Sequence, residues 1–394
     1  MSVSTQTKSD YDSYVVPSYG RLPVAFVRGA GAWLQSEGGG KYLDMYPGWG
    51  VNLVGHCHPT VVAAIRDQAG RLLHTPNNFY NPLQAQLAAE IVKRSFPGKV
   101  FFGNSGAEAN EGALKLARKW GSGKGKWKFI TMENSFHGRT FGALSATAQA
   151  KYHRGFEPML PGFTYVPFGD TEAVKAAMDS ETCAVMVEPI QGEGGVNVPP
   201  AGYLQALRTL CDERDCLLIF DEVQTGVART GHWFGFQWAG VQPDVMTLAK
   251  ALGGGVPVGA FVAATKVADV LQPGTHASTY GGNPLVCAAG LAVIKVIDEE
   301  QGLTRANEVQ AMFRERAKAL QARFNVIREI RGAGAMFGIE LDKPGQAVVD
   351  ACLEEHVLVN CTHEHVLRFL TSIFVTRDET DKAFAAVERG LRAL

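Results

Sequence analysis

The sequence lacks several features that would assign it to other classes of protein. It contains no apolar run close to the roughly 20 residues that a membrane-spanning helix needs. Its 38 lysines and arginines are balanced by 39 acidic residues, so a net charge of −1 provides no basic field for nucleic acid or an anionic membrane. We therefore expect a protein that binds neither nucleic acid nor a membrane.

Paired cysteines and recognisable metal-binding spacings are also absent. The seven cysteines form an odd number and include no Cys-x-x-Cys pair, a pattern typical of reduced thiols in the cytoplasm. The segment MSVSTQTKSDYDS is polar and lacks the apolar core of a signal peptide. Possible ligands at 55–58 and 361–365 have no second cluster at zinc-site spacing. We expect a cytoplasmic protein without a metal site.

What is present is an alternation of helical and strand patterns over residues 58–283. This alternation predicts an α/β fold with a mostly parallel, doubly wound sheet and helices on both faces. Residues 284–394 begin with a long connector helix and continue as a smaller α+β domain. Residues 1–57 are predicted to be an N-terminal arm and a small β-unit that packs with that domain. The predicted helices are 60–74, 82–95, 106–119, 171–179 and 202–214, and the predicted strands are 99–103, 127–133, 163–167, 183–188, 216–221, 244–249 and 258–264.

Asp221 and Lys250 each lie at the end of a short apolar run that is typical of a buried strand. In a parallel α/β sheet, ligands bind beyond the carboxyl ends of the strands. A carboxylate and an amine at that edge suit pyridoxal phosphate, because the lysine can condense with the coenzyme aldehyde and the carboxylate can keep the pyridine nitrogen protonated.

Residues 101–118 predict a strand, a turn of small residues and then a helix. Ser105, Gly106 and Ala107 occupy the turn. Backbone N–H groups at a helix start, together with the positive end of the helix dipole, can bind a phosphate group. The alternative is an ordinary helix start with Ser105 as its N-cap.

Residues 133–147 have the same strand, turn and helix layout, which places Phe136 and Arg139 at the edge of the sheet. An aromatic ring there can stack on a pyridine ring, and an arginine can bind a substrate carboxylate through two N–H groups. Considered alone, a phenylalanine such as Phe136 is more often part of the core, and an arginine such as Arg139 is more often part of a surface ion pair.

Three later segments also carry candidate site residues. Glu193 lies in a glycine-rich loop after a buried strand, where it is either solvated or paired with an arginine that also recognises carboxylates. Thr279 lies in the segment 278–284 as a candidate phosphate ligand or an ordinary turn residue. Arg368 lies within an apolar strand, where a charge is rare unless it is paired or meets an anionic ligand.

With these segments in order, the sequence resembles the class III, or subgroup II, pyridoxal-phosphate aminotransferases over nearly its whole length. Within that class it is most similar to the acetylornithine aminotransferases. The motifs that carry the resemblance are Gly55–Pro59, Asn104–Asn110, Phe136–Arg139, Glu188–Gly195 and Leu218–Gly226, followed by Asp244, Lys250 and Gly253-Gly254.

The resemblance implies a fold-type I homodimer whose active sites are shared between subunits. Lys250 is implied to bind the coenzyme aldehyde and Asp221 to pair with the pyridine nitrogen. The other implied cofactor contacts are Ser105, Gly106, Ala107, Phe136, Val223, Gln224 and, from the second subunit, Thr279. The implied substrate contacts are Arg139, Ser278, Arg368 and Glu193, the last acting as a switch partner of Arg368.

The reaction implied is transfer of the terminal (δ) amine of N2-acetyl-L-ornithine to 2-oxoglutarate, giving N-acetylglutamate 5-semialdehyde and glutamate in arginine biosynthesis. Free-ornithine δ-aminotransferases carry a tyrosine in the segment corresponding to 47–50, where this sequence has Gly48 and hence room for an acyl group. The alternatives are another ω-aminotransferase, acting on succinylornithine, a carrier-linked lysine, ornithine or 4-aminobutyrate, and a decarboxylase or aminomutase of the same fold. A non-catalytic binding protein is the remaining alternative.

Overall fold

The computed structural model describes residues 3–394, which form three sheets and their surrounding helices. The chain begins with α1 (Thr5–Tyr14), a helix with no buried residue. Strands β1 (Phe26–Ala30), β2 (Trp33–Ser36) and β3 (Lys41–Asp44) follow as an antiparallel meander. No helix within residues 3–394 is long and apolar enough to cross a membrane.

The largest sheet has seven strands in the order β4-β10-β9-β8-β7-β5-β6. Its strands are β4 (Gly98–Gly103), β5 (Lys128–Met132), β6 (Phe163–Val166), β7 (Thr182–Val187), β8 (Leu217–Asp221), β9 (Val245–Leu248) and β10 (Gly259–Ala264). The neighbours from β9 through β6 pair in parallel, whereas β10 is antiparallel to both β4 and β9. The predicted α/β fold with a mostly parallel sheet is confirmed.

Helices cover both faces of this sheet, and β7 and β8 are buried along their whole length. Such double-sided burial is typical of parallel sheets and accounts for the nearly continuous apolar sequence of these strands.

The predicted helix over 60–74 is too long, because the structure ends it at Ala69, where the Gly70 N–H closes the last turn. The helices of this region are α2 (Pro59–Ala69), α3 (Pro82–Arg94), α4 (Gly106–Ser122), α5 (Phe141–Ala146), α6 (Ala150–His153), α7 (Thr171–Ala177), α8 (Tyr203–Glu213) and α9 (Gly235–Ala239).

The C-terminal part of the chain forms a second antiparallel sheet in the order β11-β12-β15-β14. Its strands are β11 (Ile327–Ala333), β12 (Met336–Leu341), β14 (Asn360–Thr362) and β15 (Val366–Phe369), with β13 (Val357–Leu358) between them in sequence. The helices are α10 (Pro284–Glu299), α11 (Gly302–Gln321), α12 (Gln346–Glu354) and α13 (Arg377–Leu391). Strand β13 pairs in parallel with β3, so both ends of the chain contribute to the remaining four-stranded sheet. The division into domains at residues 57 and 283 remains our proposal.

Candidate active site

A cavity of about 440 Å³ lies at the carboxyl ends of β8 and β9. This volume is within the range of small-molecule and cofactor sites. The position agrees with the general rule that ligands of open α/β sheets bind beyond the carboxyl ends of the strands. The residues predicted for the site that line this cavity are Ser105, Gly106, Ala107, Phe136, Arg139, Glu193, Asp221, Val223, Gln224 and Lys250.

Asp221 is the last residue of β8, and its buried carboxylate is held by three neighbours. Its Oδ2 atom lies 2.7 Å from Nδ1 of His137 and accepts a 2.8 Å hydrogen bond from the Asn110 amide. Its Oδ1 atom accepts the backbone N–H of Val223 at 3.0 Å. Because all three partners belong to the sheet edge or to α4, the carboxylate has a fixed position in the cavity wall.

Lys250 begins a short 3₁₀ turn after β9 and has a left-handed backbone, with φ of 42°. Such a conformation is costly for a residue with a side chain and is concentrated at functional sites. Burial lowers the pKa of the Lys250 amine, and the charge of Arg368 lowers it further. Glu193, Asp221 and Glu188 act in the opposite direction. The site therefore favours an uncharged amine more than water does.

The N-terminus of α4 forms another wall of the cavity. Ser105 is the N-cap of this helix, and its hydroxyl accepts the Glu108 N–H at 3.2 Å. Gly106 packs so closely on Val223 that a Cβ atom would come within 2.8 Å of a valine methyl group. The two interpretations of this turn are thus compatible, since Ser105 caps the helix and also faces the cavity.

Phe136 and Arg139 lie on the turn after β5 and form an aromatic and cationic cluster with Tyr152. The Arg139 guanidinium lies 3.8 Å from the Tyr152 ring centroid and 5.3 Å from that of Phe136. The two rings meet edge to face, with centroids 6.0 Å apart. Within residues 3–394, Arg139 forms no ion pair. Its charge is therefore open to an anion from outside the protein.

Arg368 lies in β15 and is completely buried, but its charge is paired. Its Nη1 and Nη2 atoms donate to the Glu193 carboxylate at 2.7 and 3.2 Å, and its Nε–H donates to Asn360 at 3.0 Å. Burial alone would raise the pKa of Glu193, but the Arg368 charge and its hydrogen bonds hold that pKa below its ordinary value. The structure therefore brings together the acid and the arginine that the sequence pattern suggested as partners.

Three predicted residues do not line this cavity: Arg368, whose guanidinium is bound to the lining residue Glu193, and Ser278 and Thr279, which line a different cavity that also includes Asn77 and His276. The Ser278 hydroxyl approaches the cavity wall only indirectly, by accepting a 3.3 Å hydrogen bond from Asn104. Within a single chain, Thr279 is thus not positioned to contact a ligand of the first cavity.

Several residues of the site had no assigned role in the sequence. Asn110 and His137 hold Asp221, Asn360 holds Arg368, and Tyr152 covers Arg139. The Glu188 carboxylate accepts the backbone N–H groups of Phe136 and Gly192. Burial raises the pKa of Glu188 to about 7, with His137 opposing this shift and Asp221 adding to it. The signals available were the positions of Asn110, His137 and Glu188 inside the conspicuous motifs.

The chain matches the family model described as aminotransferase class-III over residues 14–391. It is 50% identical over 379 residues to the acetylornithine aminotransferase of Caldanaerobacter subterraneus subsp. tengcongensis, covering 95% of this chain and 96% of that protein.

Solved structures agree with this assignment. An ornithine aminotransferase from Toxoplasma gondii superposes with a TM-score of 0.95 at 35% identity, covering 100% of this chain and 96% of that one. A second structure of the Toxoplasma gondii enzyme has PLP at partial occupancy in its active site. The acetylornithine aminotransferase from Elizabethkingia anophelis gives a TM-score of 0.87 at 32% identity, with 98% of both chains covered. The sequence match over residues 14–391 and these structural neighbours agree, and the chain belongs to the class-III aminotransferase family.

Proposed function

We propose that this aminotransferase uses pyridoxal phosphate to transfer the δ-amine of N2-acetyl-L-ornithine to 2-oxoglutarate, giving N-acetylglutamate 5-semialdehyde and glutamate. The observation that carries the proposal is the single cavity that Lys250 and Asp221 share with the N-terminus of α4. The curated relative with 50% identity, an acetylornithine aminotransferase, supports this choice of donor.

The residues of the cavity fit pyridoxal phosphate in charge and in shape. The coenzyme has an aldehyde, a basic ring nitrogen and a phosphate, and the cavity offers an amine, a carboxylate and a helix N-terminus for them. Gln224 adds a buried amide oxygen that has no hydrogen-bond partner within residues 3–394. Phe136 and Val223 line the same cavity and would cover the two faces of the ring.

When bound, pyridoxal phosphate supplies an aldehyde that captures the donor amine and a ring that accepts the electron pair released at the adjacent carbon. Lys250 would remove the proton from the amine-bearing carbon as a general base, for which its lowered pKa is suited. Asp221, fixed by His137 and Asn110, would hold a proton on the ring nitrogen. Ser105, Gly106 and Ala107 would bind the phosphate from one subunit.

Substrate recognition is proposed to depend on two arginines of different character. The unpaired Arg139 would bind the carboxylate of the acylamino acid, and Ser278 of the second subunit, next to Thr279, would lie near that substrate. Arg368 would bind a carboxylate of 2-oxoglutarate after the Glu193 carboxylate has moved away from the guanidinium. The turn at Gly48, where φ is +60°, leaves no side chain to fill the space for the acyl group.

We also propose a homodimer in which Thr279 of one subunit completes the phosphate site of the other. Apolar side chains are exposed near Thr279 and along the N-terminal arm, and large exposed apolar surfaces indicate a partner. These exposed residues include Tyr14, Val16, Tyr19, Leu73, Phe79, Tyr80 and Tyr280.

The enzyme is further proposed to be cytoplasmic and to act in arginine biosynthesis. All seven cysteines are free thiols, which supports the cytoplasmic location. The proposed donor, acetylornithine, supports the pathway.

A substrate panel tests the proposal. We expect kcat/KM to be largest for acetylornithine or succinylornithine, with 2-oxoglutarate required as the acceptor. Free ornithine is the alternative with specific support, because the Toxoplasma gondii structure that superposes so closely is an ornithine aminotransferase. A preference for ornithine or 4-aminobutyrate would contradict the proposed donor, and turnover without an oxo-acid acceptor would contradict transamination.

A further inference from the structure

Asn360 is the second polar contact of Arg368 and lies directly opposite it in the β14–β15 ladder. The Asn360 Oδ1 atom accepts the Nε–H of Arg368 at 3.0 Å. Because the Arg368 side chain has no exposed surface, each of its N–H groups needs a partner within the protein or a ligand. Of the five guanidinium N–H groups, one on Nη1 and one on Nη2 donate to Glu193, and the Nε–H donates to Asn360.

The two partners of Arg368 differ in how the backbone holds them. Asn360 is fixed by strand pairing, at a register position opposite the arginine itself. Glu193 lies in a loop with glycines on both sides, although its carbonyl accepts a 2.7 Å hydrogen bond from Thr362. The Glu193 carboxylate can therefore leave by rotation of its side chain, while the Asn360 amide stays in place.

The charges of the two partners differ as well. The Glu193 carboxylate neutralises Arg368, so a substrate carboxylate must replace it to bind there. The Asn360 amide is neutral and orients the guanidinium without reducing its charge. An aspartate at this position would make the same hydrogen bond but would also repel an incoming carboxylate.

We propose that Asn360 is a positioning residue that keeps the Nη atoms of Arg368 directed at the carboxylate site while Glu193 and a substrate exchange there. This inference rests on the proposed function, because it assumes that 2-oxoglutarate is the substrate that displaces Glu193. Asn360 is then required in the half-reaction with 2-oxoglutarate and not in the half-reaction with the amino donor.

The test compares the two half-reactions of the holoenzyme in single turnovers, for the parent and for N360A and N360D. We expect N360A to raise the half-saturating concentration of 2-oxoglutarate about 10-fold, since a buried charged donor loses its partner. N360D is expected to raise it at least as much, although it keeps the hydrogen bond. The acetylornithine half-reaction should stay within about twofold in both variants, because Glu193 remains on Arg368 there.

Cys361→Ser provides a matched control, since Cys361 is the next residue of β14 and lies opposite Leu367 instead of Arg368. It should leave both half-reactions unchanged, and melting temperatures would identify variants that fail to fold. Unchanged 2-oxoglutarate saturation in N360A, recovery of parental saturation in N360D, or equal losses in both half-reactions would overturn the proposal. Failure of the proposed function is distinguishable, because the parent would then show no coenzyme-dependent turnover of acetylornithine.

Discussion

The site has two arginines, Arg139 in the cavity wall and Arg368 bound to the lining residue Glu193, and their charges are held in opposite ways. On the large-sheet side, Arg139 is exposed, lies against the rings of Tyr152 and Phe136, and has no ion-pair partner within residues 3–394. On the small-sheet side, Arg368 is buried and bound to Glu193. An unpaired cation can accept a carboxylate at any time, whereas a paired one requires an exchange.

This difference provides a physical basis for using two unlike substrates at one site. A donor whose far end has no second carboxylate leaves the Glu193–Arg368 pair intact. A dicarboxylate acceptor can supply its own charge to Arg368 in place of Glu193. The residues on the large-sheet side would thus act on both substrates. The Glu193–Arg368 pair on the small-sheet side would distinguish between the two substrates. The following predictions test this division, beginning with the largest expected effect.

Lys250→Ala should remove activity with every donor and acceptor, because both half-reactions need the same amine. General-base catalysis alone is worth about 10²–10⁴-fold in rate, so we expect kcat to fall by at least that factor. The coenzyme absorbance that depends on a lysine linkage should disappear as well. The measurement is a steady-state assay together with a spectrum of the purified holoenzyme. An unchanged spectrum would show that another residue binds the coenzyme.

Arg139→Leu should lower kcat/KM for acetylornithine by about 100-fold, equivalent to about 2.7 kcal/mol of transition-state stabilisation. The reason is that Arg139 is the only arginine among the cavity-lining residues within residues 3–394. Arg154→Leu, at an exposed arginine just beyond α6, is the matched control and should have no such effect. If the two leucine variants behave alike, Arg139 does not bind the donor.

Glu193→Gln should mainly change the binding of 2-oxoglutarate at Arg368, on the small-sheet side of the site. A neutral amide no longer competes for Arg368, so the half-saturating concentration of 2-oxoglutarate should fall about 5-fold, equivalent to about 1 kcal/mol of binding free energy. The variant also removes a negative charge that raises the pKa of Lys250, so that pKa should fall further. The dependence of the rate on 2-oxoglutarate concentration measures the first effect. The pH dependence of Lys250 labelling in coenzyme-free enzyme measures the second. Weaker acceptor binding would contradict the exchange.

Tyr152→Leu should have the smallest effect, because it removes only the ring beneath Arg139. A cation–π contact at an exposed position is worth about 0.5–1 kcal/mol, which corresponds to a rise in donor KM of about 2- to 5-fold. Tyr152→Phe keeps the ring and should behave as the parent. Equal effects of the two variants would assign the contribution to the hydroxyl group, and a large fall in kcat would show that Tyr152 does more than orient Arg139.

Much of the fold could be predicted because the local patterns are strong. The apolar runs before Asp221 and Lys250 are strands that end at the same sheet edge, and the turn at Ser105 begins a helix. The predicted helix at 60–74 is too long because the apolar pattern continues past Gly70. A glycine just after the last helical residue is nevertheless a common helix end, and the structure ends the helix there, at Ala69. The antiparallel direction of β10 also could not be read from its apolar sequence, because direction depends on the path of the connecting chain.

The sequence by itself determined the family and predicted the pair of groups that would bind the coenzyme, because a strand end places a side chain at the ligand-binding edge wherever the neighbouring strands lie. Only the tertiary structure decided which side chains hold Asp221 in place and which charges act on Lys250. His137 and Asn110, which had no assigned role in the sequence, reach Asp221 across 84 and 111 residues of sequence. Contacts over such separations depend on how the sheets and loops pack, and no local pattern encodes that packing.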